Sequence, residues 1–285
     1  MATSLSDSAE TVQPASASND ALRAFVDRHQ RIFVLTGAGC STESGIADYR
    51  DERGEWKRPQ PVTFQAFMRD EAVRRRYWAR SLIGWRQLGA ALPNAAHRAL
   101  AALEARGQCE VLLTQNVDGL HQAAGSRNVI DLHGRIDAIR CMNCGQTSRR
   151  HDLQPRLLDL NPGWAALDAT NAPDGDADLD GQDFSTFRIP PCARCGGVLK
   201  PDVVFFGENV PAERRDAALA HLARADAMLV VGSSLMVQSG YRFVARAAAA
   251  GLPIASVTIG RTRADALLTL KVSESCGSTL NFLLT

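Results

Sequence analysis

The stretch Ile32-Phe33-Val34-Leu35-Thr36-Gly37-Ala38-Gly39-Cys40-Ser41-Thr42-Glu43-Ser44-Gly45-Ile46-Ala47-Asp48-Tyr49-Arg50 decides the fold. Its four leading apolar residues read as a strand buried on both faces. The strand runs directly into Gly37-x-Gly39. Gly37 suits a tight turn, and Gly39 lets backbone N–H groups approach a pyrophosphate. The dinucleotide fingerprint is incomplete. Thr42 stands where a third small residue belongs, and no strand-end acidic residue follows about twenty positions on. Taken alone, the stretch is either a cofactor turn or a Gly-rich turn without a ligand.

Outward from there the same rhythm repeats. A helix is expected over 20–29, with Asn19 or Asp20 as N-cap. After a polar flap over 51–63, apolar residues at helical spacing predict two helices within 64–89. Asn94 caps a helix that Gly107 ends, and a strand follows over 110–114. A short helix near 118–124 and a strand over 129–132 come next. The pattern breaks over 135–204 and then resumes. A helix is expected over 211–224, and a strand over 227–231 runs into Gly232-Ser233-Ser234. A helix over 238–250, a strand over 254–259 and a last helix over 277–284 complete the chain. Alternating apolar strands and helices predict an α/β fold, a Rossmann-like parallel sheet with helices on both faces.

The chain has 285 residues and a net charge of +1, so bulk charge draws it to neither nucleic acid nor membrane. It has no apolar run of about eighteen residues, so no spanning helix is expected. Residues 1–18 are rich in Ser, Ala and Thr and carry no Lys or Arg. They read as a disordered tail, not a secretion signal, which points to the cytoplasm. There, paired cysteines read as metal ligands before disulfides.

Four of the seven cysteines form two such pairs, Cys141-x-x-Cys144 and Cys192-x-x-Cys195. Two knuckles complete a tetrahedral four-sulfur site, and a closed site with no open position makes the zinc structural. Coincidental or redox pairs are the bland alternative. The insert between them carries Asp174, Asp176, Asp178 and Asp180, but Phe187 stands where a calcium loop beginning at Asp176 needs Glu. It reads as a solvated acidic loop.

Ligands of open α/β sheets bind at the carboxyl ends of the strands. Gln115, Asn116 and Asp118 follow the second strand. They fit either a carboxamide and ribose diol or an Asx cap on the next helix. His133, before Gly134 at the end of the third strand, is placed for a general base, with a buried structural histidine as the alternative. Residues 200–208 read as a cleft-lining extended segment or a core strand.

Together, Gly37-Ala38-Gly39, Ser44-Gly45-Ile46-x-Asp48-Tyr49-Arg50, residues 114–121, Leu132-His133-Gly134, the four zinc cysteines, residues 201–208 and Gly232-Ser233-Ser234 resemble the sirtuins, in order. These are NAD-dependent protein lysine deacylases. The run at 232–243, the insert and Cys276-Gly277 resemble the class II branch. The resemblance implies an NAD-binding domain over 19–59, 91–134 and 205–285. It also implies a small domain, combining a helical insertion over 60–90 with a zinc-binding module over 135–204. It implies one structural Zn2+ and a cleft that takes NAD and an acyl-lysine protein or peptide. By motif, Gly37, Ala38, Gly39, Ser44, Asp48, Tyr49 and Arg50 would hold NAD in a mobile loop. Gln115, Asn116 and Asp118 would meet its nicotinamide and ribose. Gly232, Ser233 and Ser234 would hold the adenosine half, with Thr258, Gly260 and Cys276 around the adenine. Val203, Phe205, Phe206 and Gly207 would flank the acyl-lysine. The implied reaction moves the acyl group to ribose as nicotinamide leaves, with His133 as base and Asn116 and Asp118 beside it. It yields free lysine and O-acyl-ADP-ribose. No direct nucleic acid or membrane partner is implied, and the oligomeric state stays open.

Ala47 replaces the family's proline and is expected to loosen the empty loop. Tyr77-x-x-Arg80 resembles the pair by which another sirtuin class reads acidic acyl groups, though farther from Pro93-Asn94 than in that class. The alternatives are protein mono-ADP-ribosylation from the same NAD site, a silent NAD- and zinc-binding module, and a dehydrogenase. The last is disfavoured by the missing third glycine.

Overall fold

The computed structural model describes residues 17–57, 61–167, 179 and 181–285. Most of the expected tail and the acidic run from Asp174 to Asp180 lie outside the described residues.

The chain enters through α1 (Asn19–Arg28). Its N-cap is Ser18, whose hydroxyl accepts from the Ala21 N–H, and not Asn19 or Asp20, which already lie in the first turn. β1 (Ile32–Thr36) follows. The helical insertion is α2 (Phe64–Arg69), capped by Thr63, and α3 (Glu71–Leu88), capped by Asp70. Next come α4 (Ala95–Ala105), β2 (Cys109–Thr114), α5 (Leu120–Ala123) and β3 (Val129–Asp131). Asn94 caps α4, as expected. His97 answers from the third helical position, so Asn94 and His97 bind each other's backbone N–H.

The chain then builds a second, antiparallel sheet. β4 (Gly134–Cys141) pairs with β5 (Thr147–Arg149) on one side and β6 (Leu199–Val203) on the other, and α6 (Arg150–Leu160) and α7 (Pro162–Ala165) lie between β5 and β6 in sequence. It returns through α8 (Ala212–Leu222), β7 (Ala227–Val231), α9 (Gln238–Ala249), β8 (Ile254–Val257), β9 (Leu270–Val272) and α10 (Cys276–Leu280).

The main sheet is parallel throughout, in the order β3-β2-β1-β7-β8-β9. Alternate residues of β1 face opposite layers, as the two-residue period of a strand requires. Ile32 and Val34 belong to the core with Leu22 and Val26 of α1 and Leu100 and Leu103 of α4. Phe33 and Leu35 belong to the core with Leu222 of α8 and Phe243 and Val244 of α9. Helices on both faces leave no strand face for water, which is why the strands are continuous apolar runs and not alternating ones. A third core joins the helical insertion to the second sheet, with Phe67, Tyr77 and Leu82 packed among Ile139, Leu153, Leu157, Leu199 and Phe205.

Strand order reverses between β1 and β7. Parallel sheets open a crevice at such a switch point, outside the strands' carboxyl ends. The Gly-rich turn sits there. Gly37 N–H donates to Val231 O (3.0 Å) and Gly39 N–H to Gly232 O (2.8 Å). A Cβ on Gly232, at φ +62°, would lie 2.2 Å from the Cys40 nitrogen, so the two turns touch only because these positions lack side chains.

Candidate active site

The carboxyl ends of β1, β2, β3 and β7 are joined by two chains of hydrogen bonds. The first starts at Asn116, whose Nδ2 donates to Gly37 O (3.1 Å) and to Ser41 Oγ (3.0 Å). Ser41 Oγ donates to Asp118 Oδ2 at 2.7 Å, while Asp118 Oδ1 accepts from the Leu120 N–H at 2.9 Å. Asp118 therefore holds the first N–H of α5, whose N-cap is Gly119, with one oxygen and faces the Gly-rich turn with the other.

The second chain runs through Gln115. Ser233 Oγ donates to Gln115 Oε1 (2.7 Å), and Gln115 O accepts from His133 Nδ1 (2.9 Å). A carbonyl only accepts, so Nδ1 carries the proton and Nε2 keeps its lone pair. Ser239 Oγ donates to that Nε2 at 2.8 Å. Burial lowers His133 from its ordinary value to about 4, with the Arg214 charge acting in the same direction and the Gln115 bond opposing them. The imidazole is thus neutral, oriented and half-buried at the crevice. Gly134 must follow it. At φ +82°, a Cβ there would lie 1.9 Å from Asp202 O.

Behind Asp118, Cys40, His97 and His121 bring potential metal-ligating atoms within 4.8 Å of one another. Their nitrogens are mostly engaged: His97 with Asn94 and Ser41, and His121 Nε2 with Thr36 Oγ1 (2.9 Å). Burial lowers both histidines and raises the Cys40 thiol. This neutral cluster backs the site as packing.

The loop that continues the motif folds onto itself. Asp48 is paired with Lys57, and Arg50 Nη1 donates to Gly54 O (2.7 Å). The Arg50 guanidinium lies 3.9 Å from the Trp56 ring centre, and Tyr49 meets the same ring edge-on. Ser44 Oγ is buried with no partner among the described residues. The adenine-side residues come together less tightly. Thr258 N–H donates to Val272 O (3.1 Å), Cys276 is buried with its thiol raised by burial to about 12, and Gly260 packs on Glu52 of the loop. Ser234 O accepts from the Arg263 N–H (2.9 Å).

Residues 199–203 prove to be a strand, β6, and 204–208 a turn beyond it. Val203 is half-buried at the strand end. Phe205 is buried against Phe67 and Tyr77, and Phe206 packs edge-on against Trp56 with ring centres 5.5 Å apart. Gly207 O accepts from Gln65 Nε2 (2.8 Å), tying this turn to α2. A separate cleft of about 380 Å3 runs along β6 and α8, lined by Lys200, Asp202, Val203, Glu208 and Arg214 among others. It contains none of the Gly-rich turn.

The four paired cysteines meet where β4 ends and β6 approaches. Cys141 and Cys195 sulfurs are 3.5 Å apart, and Cys144 and Cys192 are 3.9 Å apart. Sulfurs held about 2.3 Å from one tetrahedral zinc stand about 3.8 Å from each other, so the donor set fits that ion.

Ser41, Trp56 and Ser239 escape the sequence reading. Ser41 joins Asn116 to Asp118 through its hydroxyl, and Ser239 meets His133. Trp56 lies under the Arg50 guanidinium and edge-on to Phe206, and its only signal is a large aromatic inside an otherwise polar flap.

Comparison with known proteins settles the family. The Sir2 family model matches residues 37–239. The chain belongs to the Sir2 family. An "NAD-dependent protein deacetylase" of Xanthomonas axonopodis pv. citri is 68% identical over 262 residues, 92% of this chain and 89% of that one. An "NAD-dependent protein deacetylase 2" of Bradyrhizobium diazoefficiens is 65% identical over 270 residues, covering 95% and 99%. Among solved structures, a Sir2–p53 peptide–NAD+ complex matches with a TM-score of 0.74 at 28% identity, over 94% of this chain and 98% of that one. Among the described residues, no helix is long and apolar enough to cross a membrane.

Proposed function

We propose that this Sir2 protein removes acyl groups, acetyl foremost, from protein lysines with consumption of NAD. The observation that carries the reading is the oriented, neutral His133 at the strand-order switch point, on the crevice shared with Asn116, Asp118 and the Gly37–Gly39 turn. The names of its relatives point the same way. Bound NAD supplies a ribose carbon that becomes electrophilic as nicotinamide leaves.

The chain's own groups do the rest. Gly37 and Gly39 spend their N–H groups on Val231 O and Gly232 O and so hold the turn close to β7. Ala38 lies in that turn beside the pyrophosphate, and Ser44, Asp48, Tyr49 and Arg50 close the loop over it. Asn116 and Asp118 suit the carboxamide and ribose hydroxyls, with Gln115 fixing His133. Gly232, Ser233 and Ser234 serve the adenosine half, and Thr258, Gly260 and Cys276 flank the adenine. Val203, Phe205, Phe206 and Gly207 line the acyl-lysine path. His133 Nε2 takes a proton from a ribose hydroxyl and, as imidazolium, keeps its Nδ1 bond to Gln115 O. Cys141, Cys144, Cys192 and Cys195 hold a structural zinc.

Tyr77 packs against Phe67, Trp78 and Phe205, so its ring belongs to the core that joins the helical insertion to the second sheet. The cytoplasm is the compartment proposed, because the paired cysteines are gathered as metal ligands and not as disulfides.

The test is a panel of acyl-lysine peptides incubated with NAD and read by mass spectrometry. Loss of the acyl group with formation of O-acyl-ADP-ribose is expected. A peptide that instead gains ADP-ribose would establish the transferase alternative, and no turnover on any peptide would overturn both.

A further inference from the structure

His133 is held at both ring nitrogens. Gln115 O fixes the proton on Nδ1 at 2.9 Å, and Ser239 Oγ meets the opposite nitrogen at 2.8 Å. Ser239 comes from a different part of the fold, the first turn of α9, beyond β7. Its helix is seated against the same chain of bonds, since a Cβ on Gly240 would lie 2.5 Å from Gln115 Nε2. Ser239 is therefore carried on a turn of α9 whose backbone at Gly240 lies against the Gln115 side chain.

We propose that Ser239 is a positioning residue for His133, one that clamps the lone-pair nitrogen in the empty enzyme and yields it to the ribose hydroxyl. This rests on the deacylase reading above. In the empty site the Ser239 O–H donates to Nε2, which keeps the ring from rotating about its bond to Cβ, while Gln115 O keeps the proton on Nδ1. When the ribose arrives, its O–H takes the place of the serine donor. In the transfer step the ribose O–H bond breaks and an Nε2–H bond forms, leaving imidazolium and a ribose oxygen free to attack. A hydroxyl can donate or accept, so Ser239 then turns and accepts from Nε2–H. An alanine can do neither. A threonine can do both.

Two measurements separate this idea from the reading it rests on. The first needs no turnover: 15N NMR of the histidine side chains in the ligand-free protein. Wild type is expected to show His133 in one tautomer, protonated at Nδ1. The resonance of the unprotonated Nε2 should move in Ser239→Ala, where its hydrogen-bond donor is lost, and return in Ser239→Thr. An Nε2 resonance unmoved in Ser239→Ala overturns the clamp whatever the protein catalyses.

The second is steady-state kinetics on an acetyl-lysine peptide. Ser239→Ala should lower kcat by about five- to tenfold, the scale of one hydrogen bond, with KM for NAD unchanged and kcat recovered in Ser239→Thr. A rise in KM with kcat intact would make Ser239 a cofactor contact and overturn the proposal. If the Nε2 resonance moves but wild type removes no acyl group, the functional reading falls and the catalytic part of this proposal falls with it.

Discussion

Ala47 lies between Gly45, at φ +82°, and Asp48, which is tied to Lys57. Among the described residues it donates no backbone hydrogen bond, so a proline there forfeits none. Ala47→Pro should pre-order the loop by removing freedom from the empty state, lowering KM for NAD by about two- to fivefold. An unchanged or raised KM would count against a loop that orders on binding. His133 carries a second expectation. Desolvation lowers its half-buried imidazole to about 4, so the base form persists as pH falls through the ordinary histidine range. The acid limb of kcat/KM reports the free enzyme, and it should lie near 4 and not near 6.5. Activity that collapses around pH 6.5 would mean that the base is more exposed than the structure places it. At this scale the sequence revealed most of the site, because Gly, Asn, Asp and His announce their chemistry by type and spacing. It hid Ser41, Trp56 and Ser239. A serine's role depends on which neighbour its hydroxyl reaches, and Ser239 reaches across 106 residues of chain.

Between residue and fold, β6 and the turn after it form one hydrogen-bonded unit on the side proposed for the acyl-lysine. Lys200 is buried in that unit, with Nζ bonded to Val203 O and Pro201 O and paired with Glu208 Oε2 at 3.1 Å. Glu208 Oε2 also accepts the Phe205 N–H at 2.9 Å, so one carboxylate holds both the lysine and the turn. Removing it leaves a buried ammonium without its counter-charge. Glu208→Ala should cost about 3 kcal/mol or more of stability, read as a lower midpoint in urea, whereas Lys200→Met should cost less. Equal, small losses would show that the pair is solvated. The strands of the main sheet were legible because they are uninterrupted apolar runs. β4 was not, although its burial largely alternates: Arg135, Asp137 and Arg140 interleave with Ile136 and Ile139, and three charged residues among eight resemble a loop when read one by one. β5 is exposed at all three residues and β9 is only three residues long, so neither offers an apolar run to read.

Across the whole molecule, the same two strands serve both the cysteine cluster and the catalytic crevice. Cys141 ends β4, and Cys192 and Cys195 precede β6, while at the far end Gly134 pairs with Val203 and His133 O accepts from the Val204 N–H (2.8 Å). Zinc held at one end would therefore brace the strand pair that carries His133 at the other, across a register shift between Arg135 and Ile139. Stripping the metal with a strong chelator should release about one zinc per chain, melt the antiparallel sheet and abolish turnover, while the parallel sheet, whose cores are separate, stays folded. Circular dichroism and zinc analysis on the same sample check this. Full activity in zinc-free protein would contradict the coupling. The sequence made the four cysteines legible as one site despite the 47 residues between the pairs, because thiolates at this spacing have few other uses in a reducing compartment. It did not show that the helical insertion and the cysteine module share one core, since Phe67, Tyr77 and Phe205 meet only in three dimensions.

The most direct measurement compares wild type with His133→Ala on one acetyl-lysine peptide and NAD, weighing both peptide and nucleotide products. Wild type should return a peptide lighter by one acetyl group together with O-acetyl-ADP-ribose, and His133→Ala neither. Undiminished deacetylation by His133→Ala, or a wild-type peptide heavier by ADP-ribose, would contradict the account.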